Sequence, residues 1–443
     1  MTVKYYGSET EKAIDNFSVS GYKMYPLFIK SFAAVKLACA EVNAELGFLD
    51  NDIFLAISRA CKEILSGKHF EQFPLDPFQG GAGTSFNMNV NEVIAARAEE
   101  LIEGKFSIDP LRHVNLHQST NDVYPTALKV AVLFYLKKLE TAVGDMQTTL
   151  QHKEQEFKDV VKLGRTQLQD AVPMTLGMTF GAFAEAIARD RWRVFKCRER
   201  IKTVNLGGTA IGTGLTAPRD YIFKVTDRLR KITGLAVSRS ENLIDSTQNQ
   251  DQFAEISGIL KAAAVNLLKI GTDLRLLSSG PDGGFGEIIL PVRQKGSTVM
   301  PGKVNPVMPE MISQVAIKIM ANDQIISVCA ASGNLELNQF MPLISYTVLE
   351  SLHLMSNTVP LFNEKCLKGI KANNENCMSN LLKSKSLATV MIEKAGYKKV
   401  EEILAESISS GKSVKEIVLA INLFSEEEFD DLMNPGKMYK LGY

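Results

Sequence analysis

Apolar side chains recur between residues 250 and 280 in steps of three and four: Phe253, Ile256, Leu260, Ala263, Leu267, Ile270, Leu274 and Leu277. A seven-residue repeat held for about four heptads predicts a long helix with a continuous apolar seam. No proline interrupts it, and Gly258 and Gly271 are its only weak points. Four further stretches share the spacing. One runs from Pro125 to about Phe157 through Leu128, Val132, Tyr135, Leu139, Val143, Met146 and Leu150. A second has Pro173 where a first-turn proline belongs, followed by Leu176, Phe180, Phe183, Ile187 and Phe195. A third extends from Pro306 to about Ala331, and a fourth begins at Pro342.

Several of these helices approach 30 residues, against a usual length of roughly 11–12. Such lengths predict a mainly α-helical, elongated protein built on a central bundle, and apolar seams on more than one face predict packing against other chains. The chain divides into a smaller N-terminal mixed helical domain over 1–121, a central long-helix bundle domain over 122–372, and a compact C-terminal helical domain over 373–443, rich in Lys and Glu.

Polar and glycine-rich stretches fall between the long helices. They are Gly80 to Ser85 with Asn87, Asn89 and Asn91; His117 to Asp122; Gly164 to Asp170; and Ser278 to Pro306. The last is close to 30 residues, too long for a mere bundle connection. A strand-like run at Gly286–Val292 predicts an ordered hairpin with a mobile tip. Two phosphate-binding patterns fail. Five residues separate Gly296 from Gly302-Lys303 and Val304 follows, where a P-loop needs four and a hydroxyl residue. The Gly207–Gly214 stretch has the wrong spacing for a dinucleotide fingerprint and is expected to follow a helix, not a strand.

Composition narrows the partners. Lys plus Arg and Asp plus Glu each number 50, so no net charge favours nucleic acid or an anionic membrane. The N-terminus has no apolar core suited to a signal peptide, and no stretch approaches 18 uninterrupted apolar residues. Cytoplasmic location is expected. The six cysteines are scattered, with no CxxC and no His-rich cluster, which predicts buried reduced thiols and neither metal nor cofactor.

The loops offer Thr84, Ser119, Thr120, Asn121, Thr166, Gln167, Ser297, Lys303 and Asn305: hydroxyls and amides with one ammonium. Such a set holds a small dicarboxylate without a metal. It also suits β-elimination beside a carboxylate, in which loss of a carbon-bound proton creates a dianionic aci-carboxylate that preorganised donors stabilise. Serine is a poor base unless neighbouring donors or a cation lower its pKa. Ser297, followed by consecutive backbone amides and by Lys303, meets that demand. His113 and His117 lie four apart near Ser119, and Gln118 and Asp122 suit a helix cap.

The block GSTVMPGKVNP resembles the signature loop of the fumarase/aspartase superfamily. GTSFNMNVNEV, HVNLHQSTNDVYPT, GRTQLQDAVPMTLG, GGTAIGTGL and LRLLSSGP are similar to further blocks of that family, in order along nearly the whole chain. The resemblance implies a homotetramer whose central helices form one bundle, with each active site shared by three subunits. It implies Ser297 as the base and Lys303 and Asn305 as ligands of the carboxylate that gains charge. Thr84, Ser119, Thr120, Asn121 and Thr166 would hold the carboxylates and amine, and Glu310 would partner residue 167.

Fumarases carry histidine after G-R-T, whereas this chain carries Gln167, as many aspartases do. Expulsion of hydroxide needs a proton donor and glutamine cannot titrate, while an ammonium substrate leaves as ammonia without an acid. Elimination of ammonia from aspartate to give fumarate is therefore expected ahead of fumarate hydration. Thr298 in place of a second serine, Asp282 in place of a common arginine, the short lead-in before Tyr5-Tyr6-Gly7 and the missing Asn-Pro near Gly396 are departures from the family pattern. They keep open a lyase for a substituted aspartate or another N-substituted succinate. A catalytically silent, crystallin-like bundle is the non-enzyme alternative, opposed by the intact Ser297 and Lys303.

Overall fold

A computed structural model describes residues 3–440. The protein is mainly α-helical, with long helices at Thr120–Glu156, Leu176–Ile201, Asp251–Leu277, Val307–Ala331 and Met341–Lys365. Every residue of the seam from Phe253 to Leu277 is buried, none above 8% exposed, as the heptad spacing predicts. Among the described residues no helix is long and apolar enough to cross a membrane.

The chain separates into two compact units. The first comprises Met1–Glu140, Trp192–Ala264 and Ile317–Ser356, the second Thr141–Arg191, Val265–Ala316 and Asn357–Tyr443. Every boundary falls inside a long helix. The first unit includes a cluster of Phe28, Phe32, Phe86 and Tyr124, whose rings meet edge-on or tilted at 5.1 to 6.3 Å. In the second, Val161 and Leu163 pack with Leu381, Leu387, Met391, Ile403, Ile417 and Phe429.

Four predicted details change. The helix expected from Pro125 begins at Thr120. Ser119 Oγ accepts the Asn121 amide at 3.2 Å, and Asp122 Oδ1 accepts the Ser119 amide at 2.9 Å, a reciprocal cap that starts the helix earlier. Pro125 then lies inside the helix and cannot donate to the Asn121 carbonyl; Asn205 Nδ2 does so instead, at 2.9 Å. Pro173 starts no helix. It lies in β2 (Gln169–Thr175), antiparallel to β1 (Val161–Thr166) and opposite Leu163. An edge position with an adjacent register shift tolerates its missing N–H. The helix begins at Leu176, where Thr175 Oγ1 accepts the Met178 amide at 3.1 Å.

The third change concerns the long polar segment. Ile288–Ile289 forms no local hairpin; it pairs antiparallel with Lys371–Ala372, far along the chain. The Gly207–Gly214 stretch follows a two-residue strand, Thr203–Val204, and not a helix directly.

Candidate active site

In the first unit Thr84 opens the helix Thr84–Leu101 and is exposed, its Oγ1 donating to the Gly81 carbonyl at 2.7 Å. Ser119, Thr120 and Asn121 sit together at the start of the helix Thr120–Glu156. Asn121 Nδ2 donates to the Ala210 carbonyl at 2.7 Å. Asp122 Oδ2 accepts the Gly207 and Thr209 amides at 3.1 and 3.2 Å, so the glycine-rich stretch is a brace for this corner. Burial raises the Asp122 carboxyl to about 6, opposed by these backbone donors. Beneath lie Asn87, Asn91 and Lys36, all buried. Asn87 Nδ2 donates to Thr120 Oγ1 at 3.1 Å. His113 and His117 have structural partners: His113 Nδ1 accepts the Asp109 amide at 3.0 Å, and a ring nitrogen of His117 meets Asn43 Oδ1 at 2.7 Å.

In the second unit Thr166 and Gln167 occupy the exposed tip of the β1–β2 hairpin. Gln167 and Leu168 form a two-residue turn with φ of 53° and 62°, the left-handed pair that matches strand twist. Arg165, just before the tip, stacks on Phe285 at 4.0 Å and pairs with Glu287 at 2.7 Å. Glu287 is fully buried and also has Lys162 Nζ at 3.2 Å. That distance reflects an ion pair without hydrogen-bond alignment, since the Glu287 Oε2 atom has no hydrogen-bond partner among the described residues. Gln167 lines a 440 Å³ cavity with Arg165, Phe285, Lys269 and Asp273.

Ser297 Oγ accepts the backbone amides of Val299 at 3.1 Å and Met300 at 2.8 Å. Its loop closes at a narrow neck, where the Gly296 amide donates to the Lys303 carbonyl at 3.0 Å and Asn305 Nδ2 donates to the Gly296 carbonyl at 2.6 Å. Gly296 is required there, because a Cβ would collide with the Lys303 carbonyl. Beyond the neck the loop is open, with Val299 84% exposed. Lys303, Asn305 and Glu310 share a 500 Å³ cavity with Arg275 and Ser278. Within this chain Glu310 and Gln167 line different cavities.

Each unit therefore carries its own residues: Thr84 and Ser119–Asn121 in the first, and in the second the hairpin-tip pair Thr166 and Gln167, the loop residue Ser297 and the cavity-lining Lys303, Asn305 and Glu310. Sequence reasoning passed over Arg165 and Glu287 as a pair, and Asn115 and Lys36 under Thr120. Arg165 and Asn115 stand inside recognised blocks, which is the signal available; Glu287 and Lys36 stand in otherwise apolar runs, and only the fold shows what they face. All six cysteines are free and buried. Among the described residues no group of three His, Cys, Asp or Glu could hold a metal ion.

The arrangement can hold carboxylates on neutral donors and present a hydroxyl oxygen already supplied with two hydrogen bonds. Residues 2–321 match the family described as Lyase, and residues 387–440 match Fumarase C C-terminus. The chain is 44% identical over 438 residues to an aspartate ammonia-lyase of Bacillus sp, covering 98% of this chain and 94% of the relative. It is 43% identical to the aspartate ammonia-lyase of Bacillus subtilis, covering 99% and 93%. Its fold is similar to a crystal structure of fumarate lyase:delta crystallin from Brucella melitensis bound to cobalt, with TM-score 0.94 and 41% identity over 100% of this chain and 97% of the other. It is also similar to a recombinant class II fumarase from Schistosoma mansoni, with TM-score 0.91 and 32% identity over 99% and 96%.

Proposed function

The chain belongs to the lyase family of fumarases and aspartases, and from that premise we propose that it eliminates ammonia from L-aspartate to give fumarate, without a cofactor. The observation that carries the reading is the pair of backbone N–H donors on Ser297 Oγ, at 3.1 and 2.8 Å. Hydrogen bonds to the charged form lower a pKa, and two amides without a counter-charge favour the alkoxide a serine base requires. Ser297 Oγ takes a proton from the carbon beside the β-carboxylate. The electron pair moves into that carboxylate, giving the dianionic aci form held by Lys303 and Asn305. Its return forms the double bond as the C–N bond breaks and neutral ammonia leaves.

Thr84, Ser119, Thr120, Asn121 and Thr166 bind the carboxylates and the ammonium. Gln167, which cannot donate a titratable proton, orients the amine, with Glu310 as its partner. The similarity to aspartate ammonia-lyases and the amide at position 167 support ammonia over hydroxide as leaving group. The active form is a cytoplasmic homotetramer with sites shared by three subunits; segment 122–372 supplies the common bundle, flanked by 1–121 and 373–443. Val265, Ile317 and Val328, each more than half exposed on long helices, support burial against further copies.

The test is ultraviolet absorbance of fumarate after mixing the protein separately with aspartate, malate and argininosuccinate. A rise with aspartate alone is expected. A rise with malate or argininosuccinate but none with aspartate would overturn the assignment.

A further inference from the structure

The hydrogen bonds beneath Thr120 have a direction that can be settled from acceptors that never donate. Gln118 Nε2 donates to the carbonyls of Val114 and Leu116 at 3.0 and 3.2 Å, so its Oε1 faces Lys36 Nζ at 2.9 Å. Asn115 Nδ2 donates to the Gln118 carbonyl at 3.2 Å, which turns Asn115 Oδ1 inward as an acceptor. Three donors converge on that oxygen: Lys36 Nζ at 2.9 Å, Asn87 Nδ2 at 3.2 Å and Asn91 Nδ2 at 3.3 Å. Asn87 therefore presents its nitrogen to Asn115, and the same nitrogen donates to Thr120 Oγ1 at 3.1 Å.

The orientation has an energetic cost, because Asn87 Oδ1 is buried with no partner among the described residues. Turning the amide over would set oxygen against oxygen at Asn115, which is worse. Thr120 Oγ1 thus receives a hydrogen, and among the described residues its hydroxyl meets no other partner. Its own proton remains to be given. A carboxylate accepts and never donates, so a threonine whose proton is not spent on Asn87 fits such a ligand.

We propose that Asn87, oriented by Asn115 and Lys36, is a positioning residue that commits the Thr120 hydroxyl to donate to a substrate carboxylate; this rests on the reading that Thr120 binds substrate. Asn87 touches no reacting atom in this account. It sets the polarity of the one that does.

Asn87→Asp separates this role from simple packing. The carboxylate has nearly the same shape but no N–H, so it takes the Thr120 proton and turns the donor away from substrate. Steady-state kinetics with aspartate are measured for Asn87→Asp, Thr120→Val and the double variant, each with its melting temperature. Asn87→Asp is expected to lower kcat/KM at least about tenfold, chiefly by raising KM. In the Thr120→Val background the same change should cost no more than about threefold, because the group it acts through is gone. Independent penalties that multiply in the double variant, or an unchanged KM in Asn87→Asp, would overturn the relay. Should Asn87→Asp not fold, Asn87→Ala in the same cycle decides by the same criterion. An active wild type with multiplying penalties sinks the relay alone, whereas a wild type that forms no fumarate from aspartate sinks the proposed function together with it.

Discussion

The corner at Thr120 and the loop at Ser297 are built in opposite ways. Thr120 rests on buried amides, with Asn91 fully buried and Asn87 3% exposed, and its helix start is braced by Asp122 on two further backbone donors. Ser297 stands on a loop tied only at its neck, with Val299 and Met300 84% and 51% exposed. A binding shelf gains from being finished before substrate arrives, since fixed donors need no reorganisation. A base must reach a carbon that enters and leaves, so its segment has to stay free to close. The contrast predicts that variants in the loop act on turnover and variants in the buried frame act on stability.

The largest expected effect is Ser297→Ala. Removing the proposed base should lower kcat by about a thousandfold or more, yet leave the melting temperature where it was, since among the described residues the Ser297 hydroxyl bonds only to amides of its own exposed loop. Steady-state kinetics and calorimetry on one preparation check both halves. Retained turnover would remove Ser297 as the base; a large fall in melting temperature would mean that the loop is part of the frame.

Glu287→Ala should do the reverse. Its carboxylate is fully buried between Arg165 and Lys162, and Lys162 is itself buried. Removing one partner leaves two cations with no counter-charge, which costs about 3–5 kcal/mol. Thermal or denaturant unfolding should register that loss. A stability change under about 1 kcal/mol would show that water enters the clamp and that the hairpin tip is as loosely held as the Ser297 loop.

The two regions also differ in how far the sequence disclosed them. The helices were legible because burial imposes a period, and the seam from Phe253 to Leu277 is read directly. The candidate chemical residues come from the same pattern, where the loops break that period with hydroxyls and amides. What stayed hidden is pairing at long range. Ile288 opposite Ala372 has no local signature. Pro173 reads as a helix start until its strand partner Leu163 is known. Lys36 stands in an otherwise apolar helical run, Phe32 to Ala40, where nothing local says that Asn115 and Gln118 will meet its ammonium.

The smallest effect is the most specific to the buried corner. Burial lowers the Lys36 ammonium to about 7 in the folded protein, against about 10.4 in an unfolded chain. Between those values the unfolded state binds more protons, so stability rises with pH; below 7 both states are protonated and the contribution is flat at its lowest. The groups facing Lys36 are Asp122 and the thiols of Cys39 and Cys61. Burial holds both thiols up at about 12, so they stay neutral, and Asp122, at about 6, is already ionised above pH 7. Lys36 is thus the member of this group whose charge changes from pH 7 to 9. Over that interval the wild type should gain about 3 °C in melting temperature relative to Lys36→Met. Ser297→Ala should keep the wild-type slope, because residues 297–302 contain no ionisable side chain. A Lys36→Met protein with the wild-type slope would mean that Lys36 does not titrate in this window, and the corner would then be no more sensitive to pH than the loop.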